Sequence, residues 1–595
     1  MNKKVSYYPF LFVIVLLIFL SSCNVDPQTQ ETEIDLTKPF TVVSHLPADP
    51  ESLNPVTATG TYSRSVTNQL FSHLVHYDVQ TLKASPMLLK EMPKVIKNSE
   101  GDYPITLNCE IHDEVVWDNG QPVTGHDVAF TLKIMLNPKI PADQLRPYVE
   151  RYKHIEVDEN NPKKFTIHSD NYFLVNEIFT NFPIFPEYAY DAKGLLKDFQ
   201  VKDLSNADGR DALAKKDNRL QDFANEFTSA KFSRENIVGS GPYQLEEWVT
   251  GQRIVLKKKK DWWGDKLGNK YPLLQAYPSE IVFKPIVDQT TAVTELKGGG
   301  IDLMATISPM QFKDLEESAA AKEVLNLHKI SGYQYFYVAM NRRNPKLADK
   351  NVRRAIAHLV DVNEIIDVVM YGNGSRTIGP FHPTKEYYHK DLPLIELDIE
   401  KAKQLLKTAG WEDSNNNGIV DKLINGKREE MILEFQVSQG GLASKMANLI
   451  KVHANKAGVD IKLVVKDFNN LKAGLAERNY ELAASGFNQD PSLDDPKQIW
   501  HTSSDTPSGF NRVGFGNADS DKVIDEIQVS FDAKERNKLY KQFQEMIYDD
   551  QPFVFLFFRG GSGAINKKFD AKPSPRKPNI FENQFRPAKG ETAMN

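Results

Sequence analysis

The first residues of the chain constrain its fold more than any other feature. Lys3 and Lys4 precede an apolar run from Phe10 to Leu20. That run is roughly eleven residues long, well short of the roughly twenty that a membrane-crossing helix needs. It ends at Leu20-Ser21-Ser22-Cys23, which matches the lipobox of bacterial lipoproteins, where the cysteine is diacylated and becomes the mature N-terminus. Residues 1–22 therefore read as a lipoprotein signal peptide, Cys23 as the lipidation site, and the polar stretch 23–37 as a tether. The only other cysteine is Cys109. An exported chain with its first cysteine acylated then has no disulfide to staple it, and its stability must come from a large apolar core. No later segment stays apolar for about eighteen residues, so membrane contact is expected only through the acyl chains. The address is the cell envelope, outside the cytoplasm.

At 595 residues, and roughly 150 residues per domain, the chain predicts three or four domains. The content of 41% apolar and 26% charged residues with a net charge of −6 is that of a globular protein. The one basic run, Lys257 to Lys260, reads as a solvated strand end, which leaves no nucleic-acid-binding face.

Helix punctuation is legible. Thr124-Gly125-His126-Asp127 caps a helix that buries Val128, Phe130, Leu132 and Met135, and Asp532 does the same ahead of Leu539, Phe543 and Ile547. Asp361 divides one apolar stretch into two helices, and Asp398 opens another that stops at Gly410. Short runs rich in Val, Ile and Phe alternate with these helices: Phe40 to Ser44, Arg253 to Leu256, Glu280 to Pro285, Tyr335 to Met340, Met431 to Gln436, Ile461 to Val465 and Phe553 to Phe558. Such alternation predicts α/β lobes. The polar stretch Ala192 to Asn236 reads as a surface helical insertion.

Several segments, in order, carry a family resemblance. Asp49-Pro50-Glu51-Ser52-Leu53-Asn54-Pro55, Leu70 to Asp78, Val116-Trp117-Asp118-Asn119-Gly120-Gln121-Pro122, Gly239-Ser240-Gly241-Pro242-Tyr243, Trp262-Trp263-Gly264, Asn351 to Ile356, Leu405 to Trp411 and Tyr540 to Pro552 are together similar to the peptide and nickel binding proteins of ABC importers. The resemblance implies an α/β, two-lobed periplasmic-binding-protein type fold with an extra third domain and hinge closure on ligand. It further implies a discontinuous lobe I of 38–78, 190–330 and 550–595, an extra domain of 79–189 and a lobe II of 331–549. Two departures weaken any transfer of ligand specificity. Ile105 to His112 lacks the aromatic and arginine usual before the diagnostic block, and Phe487 stands where tryptophan is common.

The same resemblance directs attention to Ser485-Gly486-Phe487-Asn488-Gln489-Asp490. In peptide-binding members a similar strand pairs its main chain with the ligand backbone, and a following carboxylate receives the α-ammonium. A strand edge satisfies peptide N–H and C=O groups whatever the side chains, and a buried ammonium needs a fixed anion. Gly486, Phe487 and Asn488 are thus the expected strand contacts and Asp490 the anchor, with Asp494 and Asp495 as substitutes. Thr61 and Tyr62 are expected from the opposite lobe and Tyr337 from the strand that starts lobe II; Tyr333 and Trp500 are weaker candidates. Asp413 to Gly418 imitates a calcium loop, but Ile424 stands at the twelfth position where a bidentate glutamate belongs. No zinc spacing, nucleophile elbow or phosphate loop is present, so the expectation is no metal, no cofactor and no catalysis.

The expected function is a lipid-anchored, monomeric substrate-binding protein that captures di- or oligopeptides for a permease and ATPase on other chains. The alternatives are the same fold binding an oligosaccharide, nickel or haem, or a tethered sensor or chaperone.

Overall fold

The computed structural model describes residues 38–58, 60–439, 442–489, 491–506 and 509–589. Cys23 and Asp490 lie outside the described residues. Among the described residues, one eleven-stranded sheet carries the architecture. From one edge its strands run Asp460–Lys466, Ile432–Ser438, Leu482–Asn488, Leu325–Met340, Phe553–Asn566, Leu303–Met304, Thr41–Leu46, Glu280–Pro285, Arg253–Lys258 and Tyr243–Val249. Gly374–Arg376 pairs beside Phe553–Asn566. A separate four-stranded antiparallel sheet holds Lys94–Lys97, Ile105–Glu110, Lys164–Ser169 and Tyr152–Val157.

Two long strands in the middle of the sheet join its halves. Leu325 to Ile330 pairs with Gly561 to Asn566, and Gln334 to Ala339 pairs with Phe553 to Arg559. Between the two ladders the register breaks. The break coincides with Ser331-Gly332 on one strand and Arg559-Gly560-Gly561-Ser562-Gly563 on the other. A Cβ on Gly332 would lie 2.2 Å from the Arg559 carbonyl oxygen, so the two backbones approach too closely there for any side chain. The sequence placed only Tyr335 to Met340 in a strand; the observed strand begins at Leu325, because the glycine interrupts the apolar pattern without ending the pairing.

Predicted helix starts are found where the capping chemistry put them. Thr124 and Asp127 form a reciprocal capping box for Gly125–Leu136. Asp398 accepts from the Lys401 N–H and Asp532 from the Glu535 N–H. Gly410 has φ +81°, a left-handed conformation that suits glycine after a helix end. The helices between Val201 and Phe227 differ from expectation. Phe223 and Phe227 are buried against Phe130 and Phe185, so this segment is an amphipathic part of the core and not a surface insertion. Its high polar content belongs to the outward face, which a composition reading averages with the inner one.

One continuous core runs from Leu46 through the four-stranded sheet to Phe558, and a second packs Val338, Val352, Leu433, Ile450 and Leu556 around the far sheet edge. The buried Arg353 guanidinium fastens two helices by donating to Asp550 at 2.8 Å and to the Ala348 carbonyl at 2.7 Å.

Candidate functional site

The helix Thr61–Leu70 forms one wall of the site, and two of the sequence motifs hold it there. Gly239 and Gly241 lie so close to its C-terminus that an added Cβ would stand 2.3 Å from the Leu70 oxygen and 2.5 Å from its carbonyl carbon. Trp262 and Trp263 both donate their indole N–H to the Ser240 oxygen at 3.0 Å, locking that turn. The residues in these motifs are scaffold, and the cavity-lining residues Thr61, Arg64, Thr67 and Asn68 stand on the helix they hold.

The opposite wall comes from Leu482–Asn488 and the loop that follows it. This strand pairs with Met340 to Gln334 along its whole length, but its other edge meets Ile432–Ser438 only at Leu482 and Ala483. Among the described residues, Ala484 to Asn488 has no strand on that edge. Behind it stands an aromatic cluster: Trp500 packs on Phe553 at 4.8 Å and edge-on to Phe515 at 5.5 Å.

Between the walls lies a cavity of about 520 Å³, within the usual range for small-ligand sites. Thr61, Phe487, Asn488, Asp494, Asp495, Tyr333 and Trp500 line it, together with Tyr335. Tyr62 stands beside Thr61 on the same helix, 37% exposed, and is not among the lining residues. Gly486 is exposed on the free strand edge one residue before the lining begins. Tyr337 is stacked face to face on Phe553 at 3.9 Å, behind the wall and away from the cavity surface. Its strand keeps an unbroken register with Leu482–Asn488, and its ring lies 5.7 Å from that of the cavity residue Tyr335.

The two substitute carboxylates differ in their surroundings. Asp494 takes the Lys385 ammonium at 2.7 Å and the Tyr387 hydroxyl at 2.8 Å, both deep in the protein, so its charge is already met. Asp495 accepts from the Tyr172 hydroxyl at 3.0 Å, Gln528 Nε2 at 2.8 Å and the Lys497 backbone N–H at 3.0 Å, all neutral donors. Burial and the Asp495 charge together push the Tyr172 phenol far up, keeping it a donor.

Sequence reasoning missed the cationic side of the cavity. Arg64, Arg576 and Lys577 line it, as do His73 and His76. The two histidines stack at 4.3 Å, and burial drives the His73 pKa down to about 3 and that of His76 well below its usual value. Neutral His76 accepts from Arg576 Nη1 at 2.7 Å, and the guanidinium also lies over the Tyr77 ring at 5.3 Å. The only local signal was a dibasic pair among prolines, Pro573-Ser574-Pro575-Arg576-Lys577-Pro578, far in sequence from either wall.

The Asp413 to Gly418 loop is held by its own side chains. Asp413 accepts the Asn417 and Gly418 N–H groups at 3.1 and 2.9 Å, and Ser414 donates to Asp421.

Comparison with known proteins agrees with this geometry. Residues 93–510 match the family described as bacterial extracellular solute-binding proteins, family 5 Middle. The chain is 26% identical over 578 residues to the oligopeptide-binding protein AppA of Bacillus subtilis, covering 96% of each. The structure of that AppA in complex with a nonapeptide superposes with a TM-score of 0.67 at 23% identity, covering 93% of this chain and 100% of that one. NikA of Brucella suis in complex with Fe(III)-EDTA superposes at 0.72 with 20% identity, covering 92% and 99%. With the two-part sheet, the interlobe cavity and the family match in hand, the chain belongs to the bacterial extracellular solute-binding proteins of family 5, substrate-binding components of ABC importers that are not enzymes.

Proposed function

We propose that this protein is a lipid-anchored peptide receptor that hands its ligand to a permease and ATPase on other chains. The observation that carries the reading is the unpartnered strand edge from Ala484 to Asn488 leading into the cavity. A peptide can add itself to that edge as a further strand, satisfying its backbone without regard to side-chain identity. The neighbouring acidic loop, with Asp490 ahead of Asp495, supplies an anion for an α-ammonium, and Arg64, Arg576 and Lys577 stand as cations across the cavity. Such polarity suits a zwitterion. The likeness to an oligopeptide-binding protein along almost its whole length supports the same reading.

The lobes of this reading are 38–78 with 190–330 and 550–595, and 331–549, with 79–189 as the third domain. The glycine-rich register break in the two joining strands is the hinge. Ligand favours closure only by binding the closed state better. The matching peptide should therefore shrink the radius of gyration in small-angle scattering and raise the Tm. Tight peptide binding with an unchanged scattering profile contradicts the hinge. Native mass spectrometry of the purified protein should show a peptide adduct; a sugar or metal mass in its place would move the protein to another solute.

The anchor rests on Leu20-Ser21-Ser22-Cys23. Two acyl chains hold a protein stably where one is marginal, so wild type should sediment with membranes and Cys23→Ser should not. A mature N-terminus at a residue other than Cys23 would remove this part of the proposal.

A further inference from the structure

Among the described residues the cavity is lined by three carboxylates, Asp494, Asp495 and Glu177. Asp494 is paired with Lys385 and Asp495 is met by three donors, but Glu177 accepts a single side-chain hydrogen bond, from the Tyr77 hydroxyl at 2.7 Å. No ion pair reaches it among the described residues. Arg536, the positive group that bears on it, is not a lining residue and already donates to the Ser530 and Phe531 carbonyls at 2.8 and 3.2 Å. Arg576 lies over the Tyr77 ring, but His76 holds it. The Glu177 backbone is fixed: its N–H donates to the Leu174 carbonyl at 2.8 Å, and the Thr180 hydroxyl donates to its own carbonyl at 2.7 Å. Its side chain is half-buried at the cavity surface. Burial lifts the carboxyl above its ordinary value, and the Tyr77 bond offsets only part of that. A carboxylate so placed carries a cost that an arriving cation removes. Leu145, Tyr148, Leu174 and Ile178, from the same stretch of chain, line the cavity with it. An apolar wall beside a fixed carboxylate matches the aliphatic stem and charged head of a lysine or arginine side chain.

We propose that Glu177 is a specificity-determining residue that receives the cationic side chain of a lysine or arginine in the captured peptide, with the aliphatic stem lying along Leu174 and Ile178. The inference rests on the peptide reading for its ligand and is narrower than that reading. The free strand edge and Asp490 engage the main chain and the terminus, which all peptides share, whereas Glu177 distinguishes one class of side chain.

Calorimetry on wild type and Glu177→Gln tests the proposal with alanine peptides that carry either lysine or its neutral analogue norleucine at successive positions. At one position lysine should bind wild type about ten- to a hundredfold more tightly than norleucine, the range of a charge-assisted hydrogen-bonded contact. Glu177→Gln, whose amide oxygen can still accept from Tyr77, should bind the two peptides alike. The lysine preference of wild type should persist in N-acetylated peptides, because the α-ammonium has its own anion. A wild type with no lysine preference at any position, or a preference that survives Glu177→Gln, overturns the subsite. A loss in Glu177→Gln that is equal for lysine and norleucine and vanishes with acetylated peptides gives Glu177 to the α-ammonium and overturns the side-chain assignment. Each of these results leaves the peptide reading intact. Failure of every peptide in the series to bind wild type refutes the peptide reading instead. In that event butylammonium chloride against sodium chloride at equal ionic strength decides the subsite: butylammonium should raise the Tm of wild type more than that of Glu177→Gln, and an equal response overturns it.

Discussion

The two walls of the cavity differ in the groups they present. One wall offers main chain: a strand edge from Ala484 to Asn488, stiffened from behind by Trp500, Phe515 and Phe553. The other offers side chains: Arg64 on a helix pinned by the Ser240 turn, and Arg576 and Lys577 on a loop, with a neutral histidine orienting one guanidinium. A backbone edge accepts many sequences, and fixed charges set the direction in which a ligand lies. On the peptide reading, this division would let one cleft tolerate side-chain variety and still bind in a single orientation.

The comparison breaks most visibly at its acidic end. If Asp490 receives the α-ammonium in a closed cleft, Asp490→Ala leaves a buried cation unpaired, at a cost of about 3–5 kcal/mol. That is a loss of roughly a hundred- to a few thousandfold in affinity by calorimetry. Asp490→Asn should recover little, and N-acetylation of the peptide should not add to the loss, because both changes remove one interaction. Equal affinity for free and acetylated peptide would transfer the role to Asp495, whose present donors are neutral.

A second test concerns the side-chain wall alone. Glu582 is fully buried beneath the cavity helix, accepting from the Ser44 hydroxyl at 2.8 Å and from Gln69 Nε2 at 3.2 Å, with no cation paired to it among the described residues. Burial raises its pKa from the ordinary 4.5 to about 7. Between those two values the folded state holds a proton that the unfolded state has lost, so this group's contribution to stability falls as pH rises from about 4.5 to about 7 and is constant above. The total is about 3 kcal/mol. Denaturant titrations of wild type and Glu582→Gln across that window should show the mutant with the flatter profile. Parallel profiles would place the pH sensitivity elsewhere.

The smallest expected effect sharpens the main-chain wall. Phe487 lines the cavity and sits 5.7 Å from the Tyr335 ring, yet the recognition assigned to its strand is backbone. Phe487→Ala should therefore weaken peptide binding by less than about tenfold, removing apolar contact but no hydrogen bond. A loss as large as that of Asp490→Ala would show that side chains do the reading on both walls.

Local chemistry made most of the framework legible. Capping residues such as Thr124, Asp398 and Asp532 act within a few positions of themselves, so helix starts follow from short strings. The unbroken apolar run Phe553 to Phe558 reads as a strand covered on both faces, and those residues are buried. The site was legible only in part. Thr61, Phe487 and Asn488 were placed through resemblance, and all three line the cavity.

By itself, then, the sequence determined the elements, their caps and the ordered blocks that mark the family, because these depend on near neighbours in the chain. Only the tertiary structure decided which charges face the cavity. It neutralised Asp494 with Lys385, stacked Tyr337 on Phe553, and brought Arg576 onto His76 and Lys577 into the cavity. Each of these depends on two segments far apart in sequence meeting across a desolvated space. Charge pairing there is settled by distance and burial, which no local pattern of residues encodes.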